Sequence, residues 1–472
     1  MRKTTATGFT ISVILYAAVH FITYFFPNDF SEVILSLLGA LTIGFAILLL
    51  PARKIQLQLF LLIASLLVLY FTSDDFSGGI QEGLRQMRNL IGLLLIVPMI
   101  SWVLKEEPYI EEIMSFAHNF LDKSQKFYFG LMGMTQIISH FLLFGAVPMM
   151  YRFIDSFLKD YKDEPWENFK GTAILRGFAL STMWVISIPS FIFAVEALNA
   201  VLWKSILLGF TFAMAGTLLA VAFSYFQEKK YAADFSLVLQ NEIEKAMINS
   251  RNKGRWNRDV AEFAFLFVSL FGTIFMVHEL SGLEYLMTIP LVILVWTFLY
   301  FAVKRRKAGF LRDAKLYASR GIANQAQQFS ILLSAGLLIY SLNQSDAGSF
   351  VINGMNRATE VAPFLNILLL IPFLLILLGF IGLGPLPVIV LVTGILESVA
   401  LPYPPELIVL AVTSGSVISI ILSPFVMPVI ILSGVNGLSG IKNGLRFNLK
   451  FAIAFYIMVQ VFIQSMIVFF PQ

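Results

Sequence analysis

Apolar runs of about twenty residues follow one another along the whole chain, each long enough to cross a hydrocarbon layer of roughly 30 Å. In lipid the backbone must satisfy its own hydrogen bonds, so these runs read as helices. They fall near 8–26, 31–50, 56–72, 90–104, 127–151, 176–199, 205–226, 260–278, 284–303, 328–343, 362–383, 385–402, 406–432 and 449–470. The expectation is an all-α polytopic membrane protein of about 10–14 transmembrane segments. A hydrophobic fraction of 58%, a charged fraction of 13% and a mean hydropathy of +0.81 leave no room for a sizeable soluble domain. The first run follows Met-Arg-Lys without a small-residue cleavage site and leads straight into a second, so it reads as a retained helix.

With no cysteine, disulfides, thiolate metal sites and cysteine nucleophiles are excluded. The net charge of +4 does not point to nucleic acid, because the lysines and arginines sit in loops beside the spans, as the positive-inside rule requires. Loop 227–259 carries Lys229, Lys230, Lys245, Arg251, Lys253, Arg255 and Arg258, and loop 304–327 opens with Lys304-Arg305-Arg306-Lys307; both are expected in the cytoplasm. The first of them, with a helix-like centre "FSLVLQNEIEKAMI", divides the chain into a membrane half 1–226, a connector 227–259 and a membrane half 260–472. Counting every apolar run before residue 152 as a crossing puts that connector outside, against its charge. One early segment must therefore turn back, and the candidates are 90–104 and the stretch after Gly145. Segment 385–402 carries the same ambiguity.

Those segments also align. "LFGAVPMM" (143–150) placed over "GLGPLPVI" (382–389) matches Gly145 with Gly384 and Pro148 with Pro387, and the same offset of 239 matches Pro189 with Pro428. Each set precedes a Pro-broken apolar run, "STMWVISIPSFIF" in one half and "SIILSPFVMPVII" in the other. Two readings of the prolines stand. They kink packed helices, or they mark discontinuous helices whose free N–H and C=O ends form a site near the midplane.

The stretch "GLGPLPVIVLVTGILESVALPYPPELIVLAVTSGSVISIILSPFVMPVIILSGVNG" resembles the second half of ion transporter superfamily carriers. These include the large membrane subunit of TRAP transporters, divalent anion/sodium symporters, and arsenite and sodium/proton carriers. The resemblance covers roughly 362–440, and more weakly 125–200. It implies two inverted repeats, each with a re-entrant hairpin and an unwound helix, meeting at a substrate and cation site. Carried over by position, that site would draw on Ser187, Pro189 and Ser190 from the first repeat, and on Ser423, Pro424, Pro428 and Asn436, with Ser433 and Gly434, from the second. The Ser-Asn-Thr tip motif of the symporters is absent, so sodium coupling and dicarboxylate specificity are not carried over.

An ionisable residue in hydrocarbon is a functional candidate. Glu397 would carry a coupling proton at depth, or lie at a hairpin tip near water. Arg176 would attract an anion, or snorkel to the interface. His140, with Thr135, Gln136 and Ser139, forms a polar stripe at helical spacing, suited to a proton relay or to ordinary packing. His20, His118 and His278 form no metal-ligand pattern, and no phosphate-binding loop marks an ATP-driven motor.

Three function classes fit. The first is a secondary active transporter in the cytoplasmic membrane, moving a small anionic solute coupled to Na+ or H+. The others are a membrane scaffold or sensor with 227–259 as its output, and a membrane enzyme of envelope polysaccharide or lipid metabolism. The last would show a sizeable external loop, whereas loop 152–172 is short and lacks histidine. The transporter reading needs no organic cofactor, metal or nucleic acid; its partners are the solute or ion and the lipid bilayer, and a homo-oligomer is compatible with it.

Overall fold

The computed structural model describes residues 2–106, 123–231, 235–239, 256–345, 353–354, 357, 366–397, 399 and 401–469. His118, Lys245, Arg251, Lys253, Arg255 and most of the connector's helix-like centre lie outside them. All regular structure among the described residues is helical, and ten stretches are long and apolar enough to cross a membrane. The chain is an all-α, multi-pass membrane protein.

In chain order the helices are α1 Arg2–Phe25, α2 Asp29–Leu49, α3 Ala52–Thr72, α4 Phe76–Arg85, α5 Arg88–Ile96, α6 Ile100–Leu104, α7 Ser124–Leu142, α8 Ala146–Phe157, α9 Glu164–Ser181 and α10 Pro189–Ala197. They continue as α11 Leu202–Tyr231, α12 Trp256–Ser281, α13 Tyr285–Val303, α14 Lys307–Leu316, α15 Ala326–Asn343, α16 Ile367–Phe380, α17 Pro385–Leu396, α18 Pro405–Leu422, α19 Met427–Asn436 and α20 Phe447–Phe469. Local chemistry sets many of the ends. The Asn28 side chain accepts from the Phe30 amide at 2.9 Å, and Asp75 from the Gly78 amide at 2.9 Å, as N-caps do. Proline sits in the first turn of α9, α10, α18 and α19, where its missing N–H costs no helical bond. Among the described residues, Pro290 in α13 and Pro372 in α16 are the interior prolines of the kinking kind.

Two compact units divide the chain. Residues 1–106, 272–366 and 390–401 form one; residues 107–271, 367–389 and 402–472 form the other. Both draw on sequence from either side of the connector. In the first unit α3 packs along α15, with Ser330 donating to the Gln58 amide oxygen at 2.9 Å. Arg85 pairs with Glu32 and Glu82, and Glu106 holds Arg306 and Arg312, each at 3.0 Å.

One plan of five helices occurs twice along the chain. Helices α7 to α11 have 19, 12, 18, 9 and 30 residues. Helices α16 to α20 have 14, 12, 18, 10 and 23. Packing pairs recur as well: α7 on α9 matches α16 on α18, α9 on α11 matches α18 on α20, and α10 on α18 matches α19 on α9. The two copies run in opposite directions. Early α9 lies where the second copy ends, since a Cβ on Gly171 would come 3.5 Å from Leu432 of α19. Conversely, α18 begins where α10 ends, with the Val201 amide donating to Glu406 at 3.4 Å.

Length alone nominates 124–156 as a single span, but the contacts fold it back. Rising along α7, Tyr128 meets Thr172 at 3.0 Å and the His140 ring meets Trp184 at 4.7 Å, so α7 climbs beside α9. Descending along α8, Phe144 meets Phe178, and Tyr151 donates to Glu167 at 2.8 Å. This is a re-entrant hairpin, and it resolves the parity conflict in favour of the stretch after Gly145 rather than 90–104. Segment 90–104 instead belongs to a continuous candidate span from Phe76 to Leu104, interrupted by a 3-10 turn at Pro98. In the second copy α16 climbs beside α18 in the same way, with Ser423 donating to the Gly379 carbonyl at 2.8 Å. Helix α17 matches α8 in length and in chain order.

Candidate functional site

Two helices are wrapped by protein on every side. Every residue from Trp166 to Ser181 in α9 and from Leu407 to Leu422 in α18 is buried. Both then lose their helical path at the end. Residues 182–188 separate α9 from α10, and residues 423–426 separate α18 from α19. Each interruption strands carbonyls from the helix before it and N–H groups from the helix after it. Such backbone survives at membrane depth only within protein or beside a watery cavity.

The sequence placed a loop at 152–172 and began a span at 176; α9 in fact starts at Glu164. Its charges are deceptive in sequence because they are paired internally. Lys170, with no exposed side-chain surface, lies 2.5 Å from Glu167 and 3.2 Å from Asp155. Its ammonium also donates to the Tyr161 carbonyl at 3.1 Å. At the start of α9, Glu164 meets Lys442 at 2.6 Å and Arg446 at 3.2 Å. The bond from Lys442, aided by Arg446, holds the Glu164 carboxyl below its ordinary range.

The ends of α7 and α16 are fastened to the two interruptions in one manner. The Ser187 hydroxyl donates to the His140 carbonyl, and the Ser423 hydroxyl donates to the Gly379 carbonyl. His140 and Gly379 are related by the offset of 239 found in the sequence, and so are the residues three positions on, Leu143 (φ 48°) and Gly382 (φ 95°). Leu143, at the reversal between α7 and α8, and Gly382, between α16 and α17, thus hold a positive φ at matched positions. A glycine from the following segment approaches each interruption. A Cβ on Gly209 would collide with the Met183 carbonyl, and one on Gly444 with the Leu422 carbonyl.

Of the residues expected to line a site, Ser187, Pro189, Ser190 and Ser423 are buried at the interruptions, Pro424 is half-buried within the second, and Pro428 is buried in the first turn beyond it. Asn436 stands apart, at the far end of α19. Its amide exchanges bonds with Asn443 at 2.8 and 3.0 Å, and Asn443 also donates to Ser433 at 3.0 Å. Glu397 is exposed just after α17 and belongs to the first unit, whereas the other seven belong to the second.

The polar stripe on α7 is buried throughout. Thr135 and Ser139 bond the carbonyls four residues back, at 2.7 and 2.6 Å. Gln136 ties α7 to Thr217 of α11 and accepts from the Trp184 indole of the interruption, each at 3.0 Å. His140 is boxed by the rings of Trp184, Phe267 and Phe271.

Several residues went unnoticed in the sequence. Asn443 and Asn448 sit in a stretch that reads only as the basic entry to a span. Ser416 lies within α18, buried, its hydroxyl without a partner among the described residues. No motif spacing signals these: Asn448 accepts from Arg176, 272 residues away in sequence, while Asn443 finds Asn436 and Ser433 only once the chain turns after α19. Comparison with known proteins finds no protein-family model that matches the chain and no curated relative.

Proposed function

We propose that this protein is a secondary active transporter of the ion transporter superfamily type, carrying a small anionic solute across the cytoplasmic membrane in exchange with or alongside Na+ or H+. One observation carries the reading: two fully enclosed antiparallel helices, each interrupted, each bonded at its interruption through a serine hydroxyl to the end of the helix that climbs beside it. Oppositely directed repeats supply two conformations related by exchange of their roles, which is what alternating access needs. The opposed helix ends offer N–H groups to an anion and carbonyls to a cation. Glu397, just after α17, would take up the coupling proton.

The test is reconstitution of the full chain in liposomes with an imposed pH or Na+ gradient, following uptake from a panel of labelled carboxylates, phosphates and neutral solutes. Gradient-dependent accumulation of an anion is expected, with proton dependence lost in Glu397→Gln. Absence of any gradient-driven flux, in protein whose unfolding remains cooperative, would sink the transporter reading.

A further inference from the structure

Helix α9 buries two cations six residues apart, and they are treated differently. Lys170 has carboxylates from Glu167 and Asp155 against it. Arg176 is equally buried, at 0% exposure, yet its bonded partners are all uncharged: Asn448 Oδ1 at 2.8 Å, the Tyr128 hydroxyl at 3.2 Å and the Phe447 carbonyl at 3.1 Å. Its guanidinium also lies over the Phe451 ring, 4.5 Å from the centroid. No carboxylate pairs with it among the described residues. A buried charge without a counter-charge is among the costliest features a protein interior can hold.

The donor count points the same way. A guanidinium has five N–H groups, and these partners use one each on Nε, Nη1 and Nη2. One N–H on each terminal nitrogen is left over, which is the pair a two-oxygen anion engages. Position agrees too. Arg176 lies on α9 ahead of the interruption at 182–188, and Asn448, its partner, donates to the Asn443 carbonyl at 2.8 Å. Neighbouring Gly444 packs on Leu422, the last residue before the interruption at 423–426. Arg176 is thus joined through Asn448, Asn443 and Gly444 to the second interruption while standing on the helix of the first.

We infer that Arg176 is the counter-charge for the transported anion: it binds one carboxylate or phosphate-type oxyanion through Nη1 and Nη2, while Tyr128, Asn448, Phe447 and Phe451 hold the guanidinium in place. This rests on the transporter reading and names the substrate class and the residue that selects it. A single uncompensated charge takes one anionic group, so a dianion would enter with a cation. Neutral partners also leave the guanidinium attractive in the empty state, where an internal carboxylate would quench it.

The test is thermal unfolding of the purified full chain in detergent, with acetate, succinate or inorganic phosphate against chloride at matched ionic strength, and in a parallel arm with micelles containing phosphatidate. At least one oxyanion is expected to raise the midpoint of wild type by several degrees. The rise should vanish in Arg176→Gln and fall at least tenfold in apparent affinity in Arg176→Lys. Asn448→Asp sets a carboxylate beside the guanidinium and should abolish the response with Arg176 still present, which decides the matter if Arg176→Gln does not fold. A rise with phosphatidate alone assigns the oxyanion to a lipid headgroup and overturns the transported anion. No rise in wild type, or a rise that persists in Arg176→Gln or Asn448→Asp, overturns the inference. Gradient-driven flux of a neutral or cationic solute alongside that result would leave the transporter reading standing.

Discussion

Leu143 and Gly382 take a positive φ at matched positions after α7 and α16, yet only one of them is glycine. At φ 48° and ψ −127°, Leu143 holds a conformation that costs an L side chain roughly 1–3 kcal/mol. Leu143→Gly should therefore raise the unfolding midpoint modestly, after about 0.5–1 kcal/mol of glycine's entropy cost, while Gly382→Leu should lower it. A midpoint that falls in both would mean that the Leu143 side chain contributes more than its backbone loses. The serines that fasten the hairpins make a second case. Removing either hydroxyl, in Ser187→Ala or Ser423→Ala, should cost about 0.5–1.5 kcal/mol for the bond, and more where the carbonyl stays dry. Equal stability of both variants and wild type in denaturant titrations would argue against the fastening. Glu164 gives a pH signature. Its carboxyl is depressed in the folded state, so its contribution is present above the ordinary value of 4.5 and fades as pH falls through the folded value. Stability should decline below about pH 4.5, less steeply in Glu164→Gln; parallel slopes in the two proteins would refute the assignment.

At the scale of elements, proline turns out to be a starting residue. Pro189, Pro405 and Pro428 each stand in the first turn of a helix that begins anew after irregular chain. The helix start on the C-terminal side of each interruption thus shapes it as much as the helix end on the N-terminal side. The sequence offered kinking and interruption side by side; register decides, because a proline in the first turn lacks only an N–H that would have had no partner. The α7–α8 hairpin leads to a labelling test on a chain that contains no cysteine of its own. Both of its feet are exposed at Lys126 and Lys159. Cysteines placed there should react from the same side of the membrane as one at Lys229 of α11, and that side should be the cytoplasm. Reaction of the two feet from opposite sides would show a full crossing and remove the hairpin.

For the molecule as a whole, residues 124–231 and 367–469 should superpose after rotation about an axis in the membrane plane. An experimental structure with unrelated helix paths in these segments would end the repeat. The chain's parity agrees with the same arrangement. With 124–157 turning back, the count of crossings expected before Lys229 and Lys230 becomes even, which is what the positive-inside rule asks of a basic stretch on the side of Arg2 and Lys3.

The sequence alone was enough for what depends on local composition: helices throughout, a membrane as solvent, segments that match at an offset of 239 residues, and the approximate position of both interruptions. Hydrophobicity is a property of each segment, and glycine and proline act on their own backbone, so these traits need no partner to be legible. Tertiary structure alone decided which helices lie innermost. "EPWENFKGTAILRGFALS" reads as a charged loop running into a span, yet it is the first enclosed helix, because Glu167 and Lys170 neutralise each other inside it and Asp155 comes from α8. Arg176 could be read as snorkelling until the fold placed Asn448 and Phe447, more than 270 residues away in sequence, against its guanidinium. Charge compensation is a property of neighbours, and neighbours across such distances exist only once the chain has packed.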